Sequence, residues 1–195
     1  MNKLGRKSIF ISALVALLPS PVFAHTIIGN MTGFGSGFSH PIGGFDHILA
    51  MVAVGLWTAQ MGGRAIWAVP GTFVTVMLVG GFLGMTGIHI PYVEEGILVS
   101  VLVLGVLIAA ALRFPVVIGV LIVGLFALFH GHAHGSEMSM ALGAIPFGLG
   151  FASGTLLLHV VGIIAGMSLQ RMGSEQGVRL AGGAIVLAGI YLAVP

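Results

Sequence analysis

Charge is so scarce in this chain that water cannot be the solvent for most of its surface. Of 195 residues, seven are Lys or Arg and five are Asp or Glu, while 57% are hydrophobic. A water-soluble domain carries about 25% charged residues, and the 6% found here cannot cover a globule of this size. The composition excludes an ordinary cytosolic enzyme, a nucleic-acid binder and a disordered chain. It points to an all-α integral membrane protein. With no cysteine in the sequence, disulfides and thiolate metal sites are excluded as well.

Residues 1–24 read as a secretory signal peptide. Lys3, Arg6 and Lys7 form a basic start, and Ile9 to Leu18 is an apolar stretch too short to span a bilayer. Pro19, Ser20 and Pro21 break it, and Val22-Phe23-Ala24 supplies small residues for cleavage. The alternative is an uncleaved anchor running on to Ala24. Removal of the segment leaves four basic and five acidic residues, so no anionic partner is implied. It also makes His25 the first residue, offering an amine and an imidazole to a metal.

The remainder, residues 25–195, reads as one domain of six transmembrane helices. Apolar runs fall at about 42–60, 65–85, 96–112, 114–129, 146–169 and 178–194, each near the ~17–25 residues a crossing needs. Residues 138–145 either extend the fifth helix or form a short turn. Cleavage places the new N-terminus outside the cytoplasm, so loops one, three and five are internal. Arg64, Arg113, Arg171 and Arg179 all fall at those loops, as the positive-inside tendency requires. Both mature termini are therefore expected outside the cytoplasm. The external side receives Glu94, Glu95, Glu137 and most of the histidines.

Eight histidines against twelve charged residues are the feature that carries function. The first group is His40-Pro41-Ile42-Gly43-Gly44-Phe45-Asp46-His47, with Pro41 suited to a first helical position. An acid inside a span is costly and functional by default. His40 and His47 share a face of a regular helix but lie about 10 Å apart along it. Either they serve different steps, or the helix unwinds at Gly43-Gly44, as helices do at ion sites in transporters. The bland reading is a cap at His40 and a packed Asp46/His47 pair. The second group is His130-Gly131-His132-Ala133-His134-Gly135-Ser136-Glu137. If it is helical, His130 and His134 share a face; if it is extended, all three histidines do. A solvated His-rich loop is the bland alternative. Glu94 or Glu95 either attracts cations or complements a helix dipole. His159, deep in the fifth span, is either a way-station for an ion or a packed interhelical hydrogen bond. Met51, Met61, Met77 and Met85 read as core.

Imidazole and carboxylate donors without thiolate suit nickel, cobalt or zinc. Calcium and magnesium prefer oxygen throughout. No nucleotide-binding motif is present, so inward movement would draw on the membrane potential or a co-ion. A divalent ion gains roughly 4.6 kcal/mol per 100 mV, more than a thousandfold in accumulation.

His40-Pro41 with Gly44, Asp46-His47, Leu49, Met51 and Gly55, followed by Phe129-His130-Gly131, Ala133-His134-Gly135 and Glu137, resembles the HupE/UreJ family. The resemblance extends over essentially the whole chain. It implies secondary uptake of Ni²⁺, or in some members Co²⁺, with the metal as substrate and no resident cofactor. It carries over His40, Asp46, His47, His130, His134 and Glu137 as transport residues, and Glu94 fits an acid preferred at the third span. His132 falls on a variable position. The partners it implies are the metal ion, membrane lipid and hydrogenase or urease maturation proteins. Two other classes compete. One is an intramembrane metal-dependent hydrolase, which would need three fixed zinc ligands, an open position and a general base such as Glu137; the sequence has no H-E-x-x-H helix. The other is a metal-binding or sensor subunit without transport, which normally needs an output domain.

Overall fold

In hydrocarbon a backbone must satisfy its own N–H and C=O groups, so apolar runs of this length become helices. A computed structural model describes residues 33–137 and 143–194. Among the described residues there are seven helices and no strand. They are α1 (Phe34–Gly43), α2 (Phe45–Met61), α3 (Ala65–Met85), α4 (Val93–Ala109), α5 (Val116–Glu137), α6 (Ala144–Arg171) and α7 (Glu175–Ala193). The signal peptide expected at 1–24, and His25, lie outside the described residues. Helices α3, α5, α6 and α7 are each long and apolar enough to cross a membrane, and α1 with α2 forms a further candidate bent by 86°. Helix α4 has 17 residues, about 26 Å, slightly under the ~30 Å hydrocarbon core. The chain is a multi-pass helical membrane protein.

Two expectations from the sequence need correction, and one open choice is resolved. Residues 34–43 form a separate helix that the apolar pattern did not indicate. Pro41 lies inside α1 rather than at a helix start. Residues 130–137, open between helical and extended, are the last two turns of α5.

The helices pack in pairs: α3 on α5, α2 and α1 on α6, and α4 on α7. Glycines set two of these contacts. A side chain at Gly131 or Gly135 on α5 would run into the α3 carbonyls of Met77 and Gly81. One at Gly37 on α1 would strike the Phe147 carbonyl on α6. Helices in lipid gain little from the hydrophobic effect, so close backbone approach supplies the packing. Trp57, Phe73, Met51, Met77, Leu104 and Ile108 fill the interior. Val117, Leu121 and Leu125 on α5, and Leu180 and Leu187 on α7, are exposed. An apolar perimeter of this kind matches lipid, not water.

The helix ends are closed deliberately. Helix α4 ends with Ala111 at φ 54°, and the N–H groups of Leu112 and Ala111 return to the carbonyls of Leu107 and Ile108. This is the left-handed C-terminal cap usually made by glycine. Side chains from other helices take up the carbonyls around it. Trp57 Nε1 donates to Leu112 O at 2.9 Å, Gln60 Nε2 to Ile108 O at 3.1 Å, and Arg179 Nε to Ala109 O at 2.9 Å. Replacing Trp57 with Phe keeps most of the volume but removes the donor. The expected loss is about 1–3 kcal/mol, read as a lower midpoint of thermal unfolding in detergent. An unchanged midpoint would mean that the Leu112 carbonyl finds water instead.

Candidate metal site

The two helices of the bent pair meet at Gly44, whose backbone is extended (φ −100°, ψ 124°). Any residue tolerates those angles. Glycine leaves the two side chains room to pair, because a Cβ there would sit 2.8 Å from His47 Nδ1 and 2.9 Å from Asp46 Oδ1 and one of them would have to shift. The break answers the difficulty that His40 and His47 pose in one straight helix. His40 is on α1, Asp46 and His47 are in the first turn of α2, and His134 on α5 lies between the two histidines. Asp46 also sits where a helix N-terminus favours negative charge.

These four side chains form one chain of hydrogen bonds. His40 Nε2 is 2.8 Å from His134 Nδ1. His134 Nε2 is 2.5 Å from His47 Nε2. His47 Nδ1 is 2.9 Å from Asp46 Oδ1. The carboxylate can only accept, so His47 Nδ1 is the donor there and His47 Nε2 keeps its lone pair. With all three rings neutral, His134 then donates from Nε2 and His40 donates to His134 Nδ1. One carboxylate thereby fixes the tautomer of three imidazoles. A carboxylate behind a metal-ligating histidine plays this orienting part in many metal sites.

One turn below His134, His130 is fully buried, and its ring meets His47 at 5.3 Å between centroids. Its Nδ1 donates to Phe126 O at 3.0 Å, and its Nε2 has no partner among the described residues. The neutral ring therefore presents a bare lone pair inside the bundle. Aromatic rings wall the site: Phe147 and Phe151 of α6 lie against His40, and Phe151 against His134. A crevice of about 50 Å³ between α3, α5 and α6 reaches His134 past Met77 and Gly131. That is room for a few water molecules, less than a fully hydrated divalent ion needs.

The structure thus gathers His40, Asp46, His47, His130 and His134. Helical geometry turns His132 away, where its Nε2 donates to the Ile88 carbonyl at 2.6 Å. Glu94 is exposed in the first turn of α4 and makes no hydrogen bond to the cluster. Glu137 is the last residue of α5, and its side chain lies outside the described residues. His89 is exposed. Among the described residues no three donors surround a common point as in a closed metal site. The nitrogens touch one another at 2.5–2.8 Å. Ligands about 2.1 Å from a tetrahedral ion lie roughly 3.4 Å apart. The cluster must loosen by somewhat under 1 Å to admit a cation.

Two further side chains on α6 bear on the site. His159 is fully buried on α6, yet neither ring nitrogen has a partner among the described residues. The interhelical hydrogen bond that was one reading of His159 is thus not made. An unsatisfied buried polar atom costs about 1–3 kcal/mol, so the position calls for a reason. Thr155, one turn above, donates to the Met77 sulfur at 3.6 Å. The buried methionines Met51 and Met77 otherwise behave as core, as expected.

Fold and site together define a polytopic helical membrane protein with an imidazole–carboxylate cluster buried at one end. The family described as HupE / UreJ protein matches residues 13–192, and this chain belongs to that family. It is also similar to "Protein HupE" of Rhizobium leguminosarum bv. viciae. The two are 44% identical over 187 residues, covering 94% of this chain and 97% of the relative. No solved structure matches it.

Proposed function

We propose that the protein is a secondary permease that takes up a divalent transition-metal ion, Ni²⁺ foremost and Co²⁺ as the alternative, across the bacterial inner membrane. The observation that carries this reading is the hydrogen-bonded chain of three imidazoles and a carboxylate drawn from three helices of an apolar bundle. The family's association with nickel and cobalt uptake supports it. So does the placing of charge. Arg113 and Arg179 lie with the C-terminal end of α4, at the opposite end from the histidines. In this reading there are six crossings, the first of them broken at Gly44. The histidine end faces the periplasm, and the signal peptide is removed.

Capture begins at the outer end, with Glu137, Glu94 and His25 as further candidates around the entrance. The ion exchanges water for the lone pairs of His47 and His134, and His40 joins through Nε2 once its proton has moved to Nδ1. Asp46 keeps the His47 lone pair aimed inward and offsets part of the ion's charge as its hydration is stripped. Imidazole and carboxylate donors accept nickel and cobalt alike, and selectivity between them is geometric. The imported metal would then be available to hydrogenase or urease maturation proteins.

Asp46→Asn tests the orienting role. An amide can hold His47 in either tautomer and carries no charge. Uptake of ⁶³Ni²⁺ by nickel-transport-deficient cells should fall about 10- to 100-fold at equal membrane abundance. Uptake equal to that of the unaltered protein would remove Asp46 from the mechanism.

A further inference from the structure

The outer cluster leaves a set of buried polar atoms unexplained, and they descend through the bundle. His130 Nε2 and both ring nitrogens of His159 are buried without a partner among the described residues. Both rings stand edge-on to one aromatic ring, Phe73 of α3, at centroid distances of 5.6 and 5.0 Å. Further down, α2 crosses α6 so closely that a side chain at Gly55 would strike the His159 carbonyl. Thr58, about one turn beyond Gly55 toward the opposite end, again has a buried hydroxyl without a partner. Unsatisfied polar atoms are rare in native interiors and each asks for an occupant or a function. Here they follow one another along the axis of the molecule.

We propose that His159 is an inner ligand for the transported cation, which reaches it from His130 past the edge of Phe73. The proposal rests on the permease reading. A neutral imidazole has one N–H and one lone pair, and with no partner on either nitrogen neither tautomer of His159 is fixed, so the ring can turn its one lone pair to the ion from either nitrogen once its proton sits on the other. The Phe73 ring packs against both histidines, so an ion moving from one to the other passes along it. Protein–ion contact at successive weak sites lets an ion enter and leave, where one tight cage would trap it.

The test compares intact protein with His159→Leu and His159→Gln in cells given ⁶³Ni²⁺, scoring label removed by an EDTA wash separately from label that resists it. Both variants should keep the EDTA-removable label of the outer site within about twofold and lose at least tenfold of the resistant, internal label. His159→Leu should also unfold in detergent at a midpoint equal to or above that of the intact protein, since it replaces an unsatisfied polar ring with an apolar side chain. A packing role predicts the reverse. Internal label above half the intact level in either folded variant overturns the proposal. So does a marked fall in the unfolding midpoint of both, which would assign His159 to structure. Failure of the permease reading is distinct: the intact protein itself would then give no resistant label above empty cells, and the inner site would fall with it.

Discussion

Replacing His134 with Ala should abolish metal uptake, lowering EDTA-resistant ⁶³Ni²⁺ by on the order of a hundredfold or more, beyond the 10- to 100-fold typical of outer-shell changes. His134 is the one ring that bonds to both His40 and His47, and it joins α5 to the bent pair. Its loss removes a nitrogen donor and leaves His40 Nε2 and His47 Nε2 facing a hole. His132 provides the comparison within the same helix. It lies two residues away, points to the Ile88 carbonyl, and should tolerate Ala with uptake changed less than about threefold. If His132→Ala were as damaging as His134→Ala at equal abundance, helical facing would not explain the site. Intact uptake by His134→Ala would remove the cluster from the transport path.

The second large effect concerns assembly. Gly131→Val should lose the folded protein altogether, with little recovered in the monodisperse peak of a detergent-solubilised, fluorescently tagged sample. A Cβ at this position meets the Met77 carbonyl, and backbone cannot move aside as a flexible side chain can. The contact is reciprocal: Gly80 and Gly84 on α3 face the α5 carbonyls of Leu128 and His132. Prising the pair apart is expected to cost at least 4–5 kcal/mol, about the exceptional end for a point change, against a total stability of roughly 5–15 kcal/mol. Gly183→Ala on α7 is the control. Open space surrounds that position, and alanine should be neutral or stabilising by up to about 1 kcal/mol. Recovery of Gly131→Val at the level of the control would show that α3 and α5 tolerate separation.

The legible parts of this molecule were those governed by solvent and period. Scarce charge indicated lipid, and the apolar runs located α2 to α7 to within a few residues, with α5 longer than foreseen. The spacing of His130 and His134 anticipated their common face. The unwinding at Gly43-Gly44 stood as one of two options, and the structure takes it at Gly44. The parts that were not legible depend on partners. Residues 34–43 contain three glycines, two serines and a proline and have poor helix propensity. They are helical because α6 offers a surface glycine can approach. The task of Gly131 and Gly135, close contact with α3, was hidden for the same reason. The solitude of His159 could not be read either, since an unmade hydrogen bond is a property of neighbours. Gln60 and Trp57 did carry a signal, a polar group within an apolar run, which pointed to a buried partner without naming it.

The elbow at Gly44 also has mechanical leverage. His40 lies four residues back along α1, an arm of about 6 Å, so a swing of about 10° carries it roughly 1 Å. That travel matches the gap between nitrogens in hydrogen-bond contact and nitrogens spaced around a metal ion. A single joint turning through a small angle is thus enough to part His40 from His134, while Asp46 and His47 stay fixed to the other arm.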